Sequence, residues 1–566
     1  CERLKLTRFE RDILLLCVGL EVDGRFAELC AQAHGNPKLN HPTFSLALAA
    51  LPGAHWSATA PSAQLRRWEI VEVEKGPVLT VSRLRTDERV WQFLLGIDGL
   101  DSRVERYVQE LPRTGILVDS HREMAAQVAS TCIESGTPPI IQLFGSILAD
   151  QCGIAVRVAE HLRMKLCRIP ARLLPTAARE LDEFIRLWKR EVLLDRRALL
   201  LDCHDMDEST RARGAAVLRL VTELPGVIFL AGPERRDTAT RQTAIFDVQR
   251  PTPAEQRDVW SVILAKNEKL VPEGRPEEVE QLSHRLAANF DLDSTSIKSV
   301  STQAQGSVAL EETPDIDDRF YAVWDACRAH SRPRMATLAH HVRSNMDWDD
   351  LILPDHQKQV LREVEMHARY RAEVLERWGF GDKTGRGNGT AILLAGPSGV
   401  GKTLAAEVLA NRLRMDLWRI DLSAVVSKYI GETEKNLRRV FDAVEGGGSV
   451  LLFDEADALF GRRSAVKDSH DRYANIEVGY LLQRMEAHRG LAVLTTNLKA
   501  ALDPAFIRRL RFIVDFPFPD KTSRSRIWEK VFPPGTPKKD LRYDRLGQLN
   551  VTGAVIRNVA LHSAFL

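Results

Sequence analysis

The sequence predicts an α/β protein: two tandem three-layer sandwiches built on parallel sheets, behind a small α+β front domain. Three observations carry that expectation. A glycine-rich turn follows a short apolar run at Thr390, two later apolar runs end in Asp454 and Asn497, and a fainter copy of the same order lies upstream. A chain of 566 residues also exceeds what one hydrophobic core usually serves. Apolar residues are 44% and charged residues 28%, near the globular average, which excludes a disordered, collagen-like or coiled-coil chain.

Lys plus Arg number 79 against 77 acids, a net charge of +2, so no bulk field attracts nucleic acid or an anionic membrane, although a local basic face stays open. Apolar runs such as Ile13 to Val18 and Leu46 to Leu51 fall far short of the ~20 residues that cross a bilayer, so no membrane insertion is expected. The sequence begins at Cys1 without an initiator Met, and the lack of a signal peptide carries no weight. Eight scattered cysteines without a C-x-x-C pair read as reduced, buried thiols of a cytoplasmic protein rather than a disulfide framework or zinc site.

The first motif is TAILLAGPSGVGKTLAAEVLANRL, a strand, a turn and a helix. Gly396, Pro397, Ser398, Gly399, Val400, Gly401, Lys402 and Thr403 form G-x-x-x-x-G-K-T, with Leu404 opening the helix. Glycines let the backbone wrap a polyphosphate with its N–H groups inward, and the helix presents its positive end to the same charge. ATP with Mg2+ is the expected ligand. Lys402 would meet the β and γ phosphates, and the Thr403 hydroxyl would meet the metal. A second run, Ser449 to Phe453, ends in Asp454 and Glu455, assigned to the metal and to the attacking water. The letters DEAD suggest a helicase, but the rest of the segment does not follow that pattern. The third run, Gly490 to Thr496, ends in Asn497, whose amide would touch the γ phosphate or that water. Beyond it, ALDPAFIRRLRFIVDFPFPD crowds Arg508, Arg509 and Arg511 at a helix end. Such clusters are commonly solvated ion pairs, yet a cation meeting the γ phosphate is worth roughly 10³ to 10⁵ in rate.

Together these motifs resemble the AAA family of ATPases over about Trp348 to Leu566. The resemblance implies a homo-oligomeric ring, usually a hexamer, with an arginine finger entering the neighbour's site. It points to Arg508 and Arg511; Arg509 stands where the family often has proline, which leaves open which arginine reaches the nucleotide. NVTGAVIRNVALHSAF resembles the family's helical lid, with Thr552, Gly553 and Ala554 where T/S-G-A is usual and Arg557 read as a surface helix residue rather than a sensor arginine. In relatives that move polypeptides, a segment similar to SKYIGETE faces a central pore. This implies a pore loop at Lys428, Tyr429 and Ile430, and a second pore-facing loop at about Arg462 to Tyr473. An aromatic tip grips any backbone by area.

The upstream copy keeps order and spacing. Gly145 lies 251 residues before Gly396, Asp202 lies 252 before Asp454, Gly232 lies 265 before Asn497, and Asp247 and Trp260 lie 268 before Asp515 and Trp528. Its chemistry is gone: Lys402 becomes Gln151, Thr403 becomes Cys152, Gly401 becomes Asp150 and Glu455 becomes Cys203. A carboxylate at such a loop repels each phosphate charge by roughly 4 kcal/mol at 4 Å and an effective dielectric near 20. No hydrolysis and no ATP binding are expected there. Asp202, His204, Asp205 and Asp207 are read as a solvated loop, not a metal cluster.

At the front, apolar spacing predicts helices near Phe9 to Val22, Thr43 to Leu51 and Ser62 to Trp68, strands near Glu69 to Glu74 and Pro77 to Leu84, and a helix near Glu88 to Leu95. This resembles a winged helix. Arg66, Arg67, Arg83 and Arg85 could meet phosphates, but Glu69, Glu72 and Glu74 beside them favour docking of protein over nucleic acid. The domains expected are 1–112, winged-helix-like; 113–345, a degenerate module with lid; and 346–566, an active module with core to about 519 and lid from about 520. That order, with WDDLILP and KDSHDRYANIEVGYLLQRMEA, resembles the ATPases accompanying phage-tail-like extracellular contractile injection systems. The function expected is an ATP-hydrolysing ring that remodels or threads protein, its partner a substrate or injection-system component. The alternatives are a winged-helix DNA-binding regulator or loader and a slow nucleotide-dependent assembly switch.

Overall fold

The computed structural model describes the chain apart from residues 1–2, 113–114, 207–210, 239–240, 273, 310–314, 333–338, 372, 381–388, 426–431, 445–446, 457–478, 487, 489, 500–506, 509 and 566. It divides into two compact units, Cys1–Pro251 and Thr252–Leu566.

The first unit begins with helices Arg8–Val22, Arg25–His34, Phe44–Ala50 and Gln64–Arg67, then the ribbon β1 (Val71–Val73) and β2 (Leu84–Thr86), then helix Glu88–Leu94. Thr7 and Glu10 close a capping box at the first helix, satisfying two of its end N–H groups. Phe9, Ile13, Phe44, Leu65 and Leu84 pack the core beneath. Two details depart from expectation. The strand predicted from Pro77 is a 3₁₀ turn at Leu79–Val81, and the ribbon pairs Val71 with Thr86 and Val73 with Leu84 instead. The Ser82 hydroxyl donates to the Val78 carbonyl at 2.9 Å and closes that turn, while Leu84 and Thr86, each 1% exposed, supply the buried face. Helix Arg25–His34 was unforeseen because it buries only Cys30 and leaves Leu29 exposed, a face too narrow for apolar periodicity to report.

Behind this front, β3 (Gln109–Glu110), β4 (Ile140–Phe144), β5 (Lys165–Pro170), β6 (Arg197–Asp202), β7 (Ile228–Gly232) and β8 (Thr243–Asp247) form a sheet ordered β3-β5-β6-β7-β4-β8. All neighbours are parallel except β3 with β5. Alternate strand residues face two layers: Ile141, Leu143 and Leu200 meet helices Asp119–Glu134 and Leu148–His161, and Ile169, Leu199 and Leu201 meet Ala178–Leu194 and Arg211–Glu223. A buried charge network ties front and sheet. Arg190, fully buried, donates to the carbonyl of Glu69 at 2.7 Å and pairs with Asp87 and Asp101, and Arg89 meets Glu191 at 3.1 Å.

The second unit opens with four helices, Pro253–Ala265, Pro276–Asn289, Ser294–Val308 and Ile316–Ser331. Its sheet comprises β9 (Ala339–Val342), β10 (Thr390–Ala395), β11 (Asp416–Asp421), β12 (Ser449–Asp454), β13 (Leu491–Thr496) and β14 (Phe512–Asp515), ordered β14-β10-β13-β12-β11-β9. Only β9 is antiparallel to its neighbour. Strand for strand this is the arrangement of the first sheet. The helical segment reaches this sheet directly: Trp324 Nε1 donates to the Arg414 carbonyl at 2.8 Å, and Phe290 forms a bridge with Gly447. Helices Lys521–Lys530 and Gly553–Phe565 pack Trp528 against Ile556 and Ala560 as a small lid.

Candidate active site

The fully buried strand β10 delivers Gly396 into a turn that helix Lys402–Leu413 ends. Three glycines keep that turn out of the helix, at φ 151° (Gly396), 78° (Gly399) and 104° (Gly401). A Cβ at Gly396 would stand 2.3 Å from the Phe516 carbonyl oxygen, and one at Gly399 would stand 2.7 Å from Thr552 Oγ1. The Ala554 N–H donates to the Gly399 carbonyl at 3.1 Å, so the Thr552-Gly553-Ala554 segment sits on the loop, with Arg557 exposed on its helix.

Lys402 is 9% exposed, and its ammonium donates to the carbonyls of Gly396 (2.6 Å) and Pro397 (2.9 Å) and to Asn497 Oδ1 (2.8 Å). That fork joins the loop to the tip of β13. At the tip of β12, Asp454 Oδ1 accepts from the Thr495 hydroxyl and, at 3.2 Å, from the Glu455 N–H, while Oδ2 pairs with Arg419 at 2.8 Å. Glu455 is exposed in a left-handed backbone, φ 54°, a strained state for a non-glycine residue that occurs preferentially at functional positions. The ladder resumes one residue later, where the Ala456 N–H donates to the Thr495 carbonyl at 2.9 Å. Loop, Asp454, Glu455 and Asn497 thus share the carboxyl ends of three adjacent parallel strands, where open α/β sheets bind ligands. The set fits a magnesium nucleotide: a glycine cradle for phosphates, and in Asp454 and Thr403 the hard oxygen donors magnesium prefers. Bound there, the metal would supply positive charge against the phosphates.

The exposed Arg508 and Arg511 lie elsewhere. The Arg511 N–H pairs with the carbonyl of Ala391 at the start of β10. At about 3.3 Å per residue that is roughly 16 Å of strand short of Gly396. Lys428, Tyr429, Ile430, Arg509, Asp207 and the loop expected at about Arg462 to Tyr473 lie outside the described residues.

In the first sheet the equivalent turn has collapsed. Gly145 keeps its place, with a Cβ position 2.4 Å from the Val248 carbonyl oxygen, but the helix that begins at Lys402 in the second unit begins here at Leu148. Leu148, Ala149 and Asp150 occupy the positions of Gly399, Val400 and Gly401, and without those glycines the loop's last residues wind into the helix. The Gln151 amide, in place of Lys402, donates to Gly145 (3.0 Å) and Gly232 (3.1 Å), stapling the turn from within. The Gly145 N–H donates to Gly232 as the Gly396 N–H donates to Thr496, so Gly232 matches Thr496 and the counterpart of Asn497 is Pro233, one residue from the expected match. Burial holds the thiols of Cys152 and Cys203 up at about 11, leaving neither a neutral-pH nucleophile. Burial favours protonation of Asp202, yet hydrogen bonds from His204 and Arg168 prevail and hold it at about 2. Asp205 pairs with Arg172, and among the described residues no three or more His, Cys, Asp or Glu side chains gather where they could hold a metal ion.

A parallel sheet in this order, with a phosphate loop after one strand and acid and amide tips on the next two, defines a phosphate-loop nucleotide-binding module; the chain holds one intact and one altered. Comparison with known families names the parts. Residues 392–519 match the family described as ATPase family associated with various cellular activities (AAA), residues 1–108 match Winged helix domain, variant, and residues 252–333 match Contractile injection system ATPase helical domain. Among curated proteins, 26S proteasome regulatory subunit 7 homolog B of Arabidopsis thaliana is 29% identical over 257 residues, 44% of this chain and 54% of that protein. The 26S proteasome regulatory subunit 7 of Caenorhabditis elegans is 26% identical over 351 residues, 60% of this chain and 77% of the relative. The proteasome-activating nucleotidase of Methanopyrus kandleri is 30% identical over 221 residues, 38% and 49% of the two chains. The chain thus spans about half the length of the first and third.

Proposed function

We propose that this chain hydrolyses ATP at the Lys402 site, as one subunit of a ring that remodels or threads protein in the cytoplasm as an accessory of a contractile injection particle. The observation that carries the hydrolytic part is the fork from Lys402 to Gly396, Pro397 and Asn497, which preorganises donors and acceptors around one phosphate position. In this reading Asp454 and Thr403 hold the metal, Glu455 orients and deprotonates water, and Asn497 positions it. The ring part is supported by Arg508 and Arg511, both exposed, with the Arg511 backbone held at the end of β10 away from its own loop, so that they are open to a neighbouring subunit's site. Lys428, Tyr429 and Ile430 would line the pore. The altered first module, stapled by Gln151, binds no nucleotide and forms a structural tier.

Protein docking by the front domain, rather than DNA reading, is supported by its arginines. Arg66 donates to the Thr59 carbonyl, Arg67 covers Trp68, Arg83 faces Glu74 and Arg85 faces Glu21. The helix bearing Arg66 and Arg67 has only 4 residues. Among the described residues no helix is long and apolar enough to cross a membrane. The test is ATP turnover per site against protein concentration, with Arg508→Ala mixed into wild type and Tyr429→Ala assayed for substrate movement. The proposal expects turnover to collapse on dilution, mixed rings to be poisoned, and Tyr429→Ala to keep ATPase while losing work on substrate. Turnover independent of concentration would contradict the ring. Salt-dependent duplex binding lost on removing residues 1–112 would favour the DNA-binding alternative.

A further inference from the structure

Arg419 belongs to no motif, yet it is the described partner of the Asp454 oxygen not engaged by Thr495 and Glu455. It stands on β11 two residues before Asp421, which is the strand partner of Asp454 itself, so the register of the sheet aims it across at the acid. Its side chain is 50% exposed and that of Asp454 15%, so the guanidinium covers the carboxylate from the solvent side and is free to swing away. The altered module contains the same device. Arg168 lies 251 residues before Arg419, the same offset that relates the two loop glycines, and it meets Asp202 Oδ2 from β5. There the acid is almost fully enclosed, 3% exposed, and its other oxygen is taken by the His204 N–H and ring at 3.1 Å. The copy has lost the lysine, the threonine and the catalytic glutamate but has kept this arginine.

We infer that Arg419 is a positioning residue that occupies Asp454 in place of the metal and competes with it, so that this guanidinium sets how tightly the nucleotide site takes a divalent cation. The inference rests on the proposed nucleotide site. A guanidinium and a divalent cation repel, and Oδ2, the oxygen that Arg419 holds, is the one that Thr495 and Glu455 leave to a cation. In the active module the exposed arginine yields when a metal nucleotide arrives. In the copy, which has no phosphate loop to bring one, Arg168 is the permanent cation.

The test is Mn2+ binding, followed by electron paramagnetic resonance, to the full chain saturated with ADP, in wild type, Arg419→Gln, Arg419→Lys and Asp454→Asn. ADP affinity in EDTA serves as the check that each variant keeps its fold. Losing a half-exposed competing cation should tighten Mn2+ about three- to fivefold in Arg419→Gln, the range of a surface ion pair, with Arg419→Lys close to wild type. Asp454→Asn should weaken Mn2+ at least tenfold. If Asp454→Asn weakens the metal but Arg419→Gln leaves it unchanged or weaker, Arg419 is a strand staple and this inference alone is overturned. If Asp454→Asn has no effect on Mn2+, both this inference and the assigned metal site fail.

Discussion

Replacing Lys402 with methionine separates the role of its charge from that of its bulk. The aliphatic stem, buried in the loop, is closely reproduced by methionine, while the ammonium and its three acceptors, at 2.6, 2.9 and 2.8 Å, lose their mutual bonds. Without ligand, the orphaned oxygens cost about 1–3 kcal/mol, partly offset because a buried ammonium no longer needs desolvating. Nucleotide affinity falls much further. Two charge-assisted bonds to phosphate, at about 1.5–3 kcal/mol each, amount to roughly 3–6 kcal/mol, or 10² to 10⁴ in dissociation constant. Equilibrium titration with a fluorescent, non-hydrolysable ATP analogue reads that change, and chemical denaturation verifies that the variant folds. A folded Lys402→Met protein with a dissociation constant within threefold of wild type would refute the assignment of this lysine.

Other expected outcomes follow from single contacts. Gly399→Ala forces a left-handed alanine, about 1–2 kcal/mol of strain, and drives its Cβ to 2.7 Å from Thr552 Oγ1, so stopped-flow release of nucleotide should accelerate as the lid loses its seat. Arg190→Ala leaves Asp87 and Asp101 with Arg103 alone and the Glu69 carbonyl without its donor, and should destabilise the first unit by about 1–3 kcal/mol in urea unfolding. Burial, with Arg371 and Arg484 adding repulsion, holds His488 at about 4 in the fold against 6.5 ordinarily. The unfolded chain therefore binds the proton first, and stability of the second unit should fall by up to about 3 kcal/mol as pH drops from 6.5 toward 4. His488→Leu should flatten that slope in denaturation curves collected across the same window.

How much could be read in advance divides along physical lines. That the loop, Asp454, Glu455 and Asn497 share one end of the sheet could be anticipated, because phosphate and metal chemistry admits few residue types and each stands where an apolar run ends; Lys402 and Asn497 meet there. The altered copy was legible because a parallel sheet keeps buried runs at fixed spacing even after the lysine, threonine and glutamate counterparts are lost, and the two sheets share one strand order. The collapse of its loop was not, since a helix beginning at Leu148 rather than at Gln151 depends on backbone conformation, not on residue order. The match of Gly232 slipped by one because ladder hydrogen bonds, not strand ends, set the register. Arg419 escaped notice because its partner lies on the next strand, although the shared offset of Arg168 and Gly145 from their counterparts was a usable signal. The grouping of helices Pro253–Ala265 to Ile316–Ser331 with the second sheet depends on contacts such as Trp324 with Arg414, which no repeat spacing reports.

In the proposed function each chain holds one working ATP site, and Glu455 drives its chemistry. This is tested most directly by nucleotide stoichiometry and turnover measured together on wild type and Glu455→Gln. The variant should retain one ATP per chain, with turnover reduced at least about 100-fold, the scale of a lost general base. Two nucleotides per chain, or turnover that survives the substitution, would contradict it.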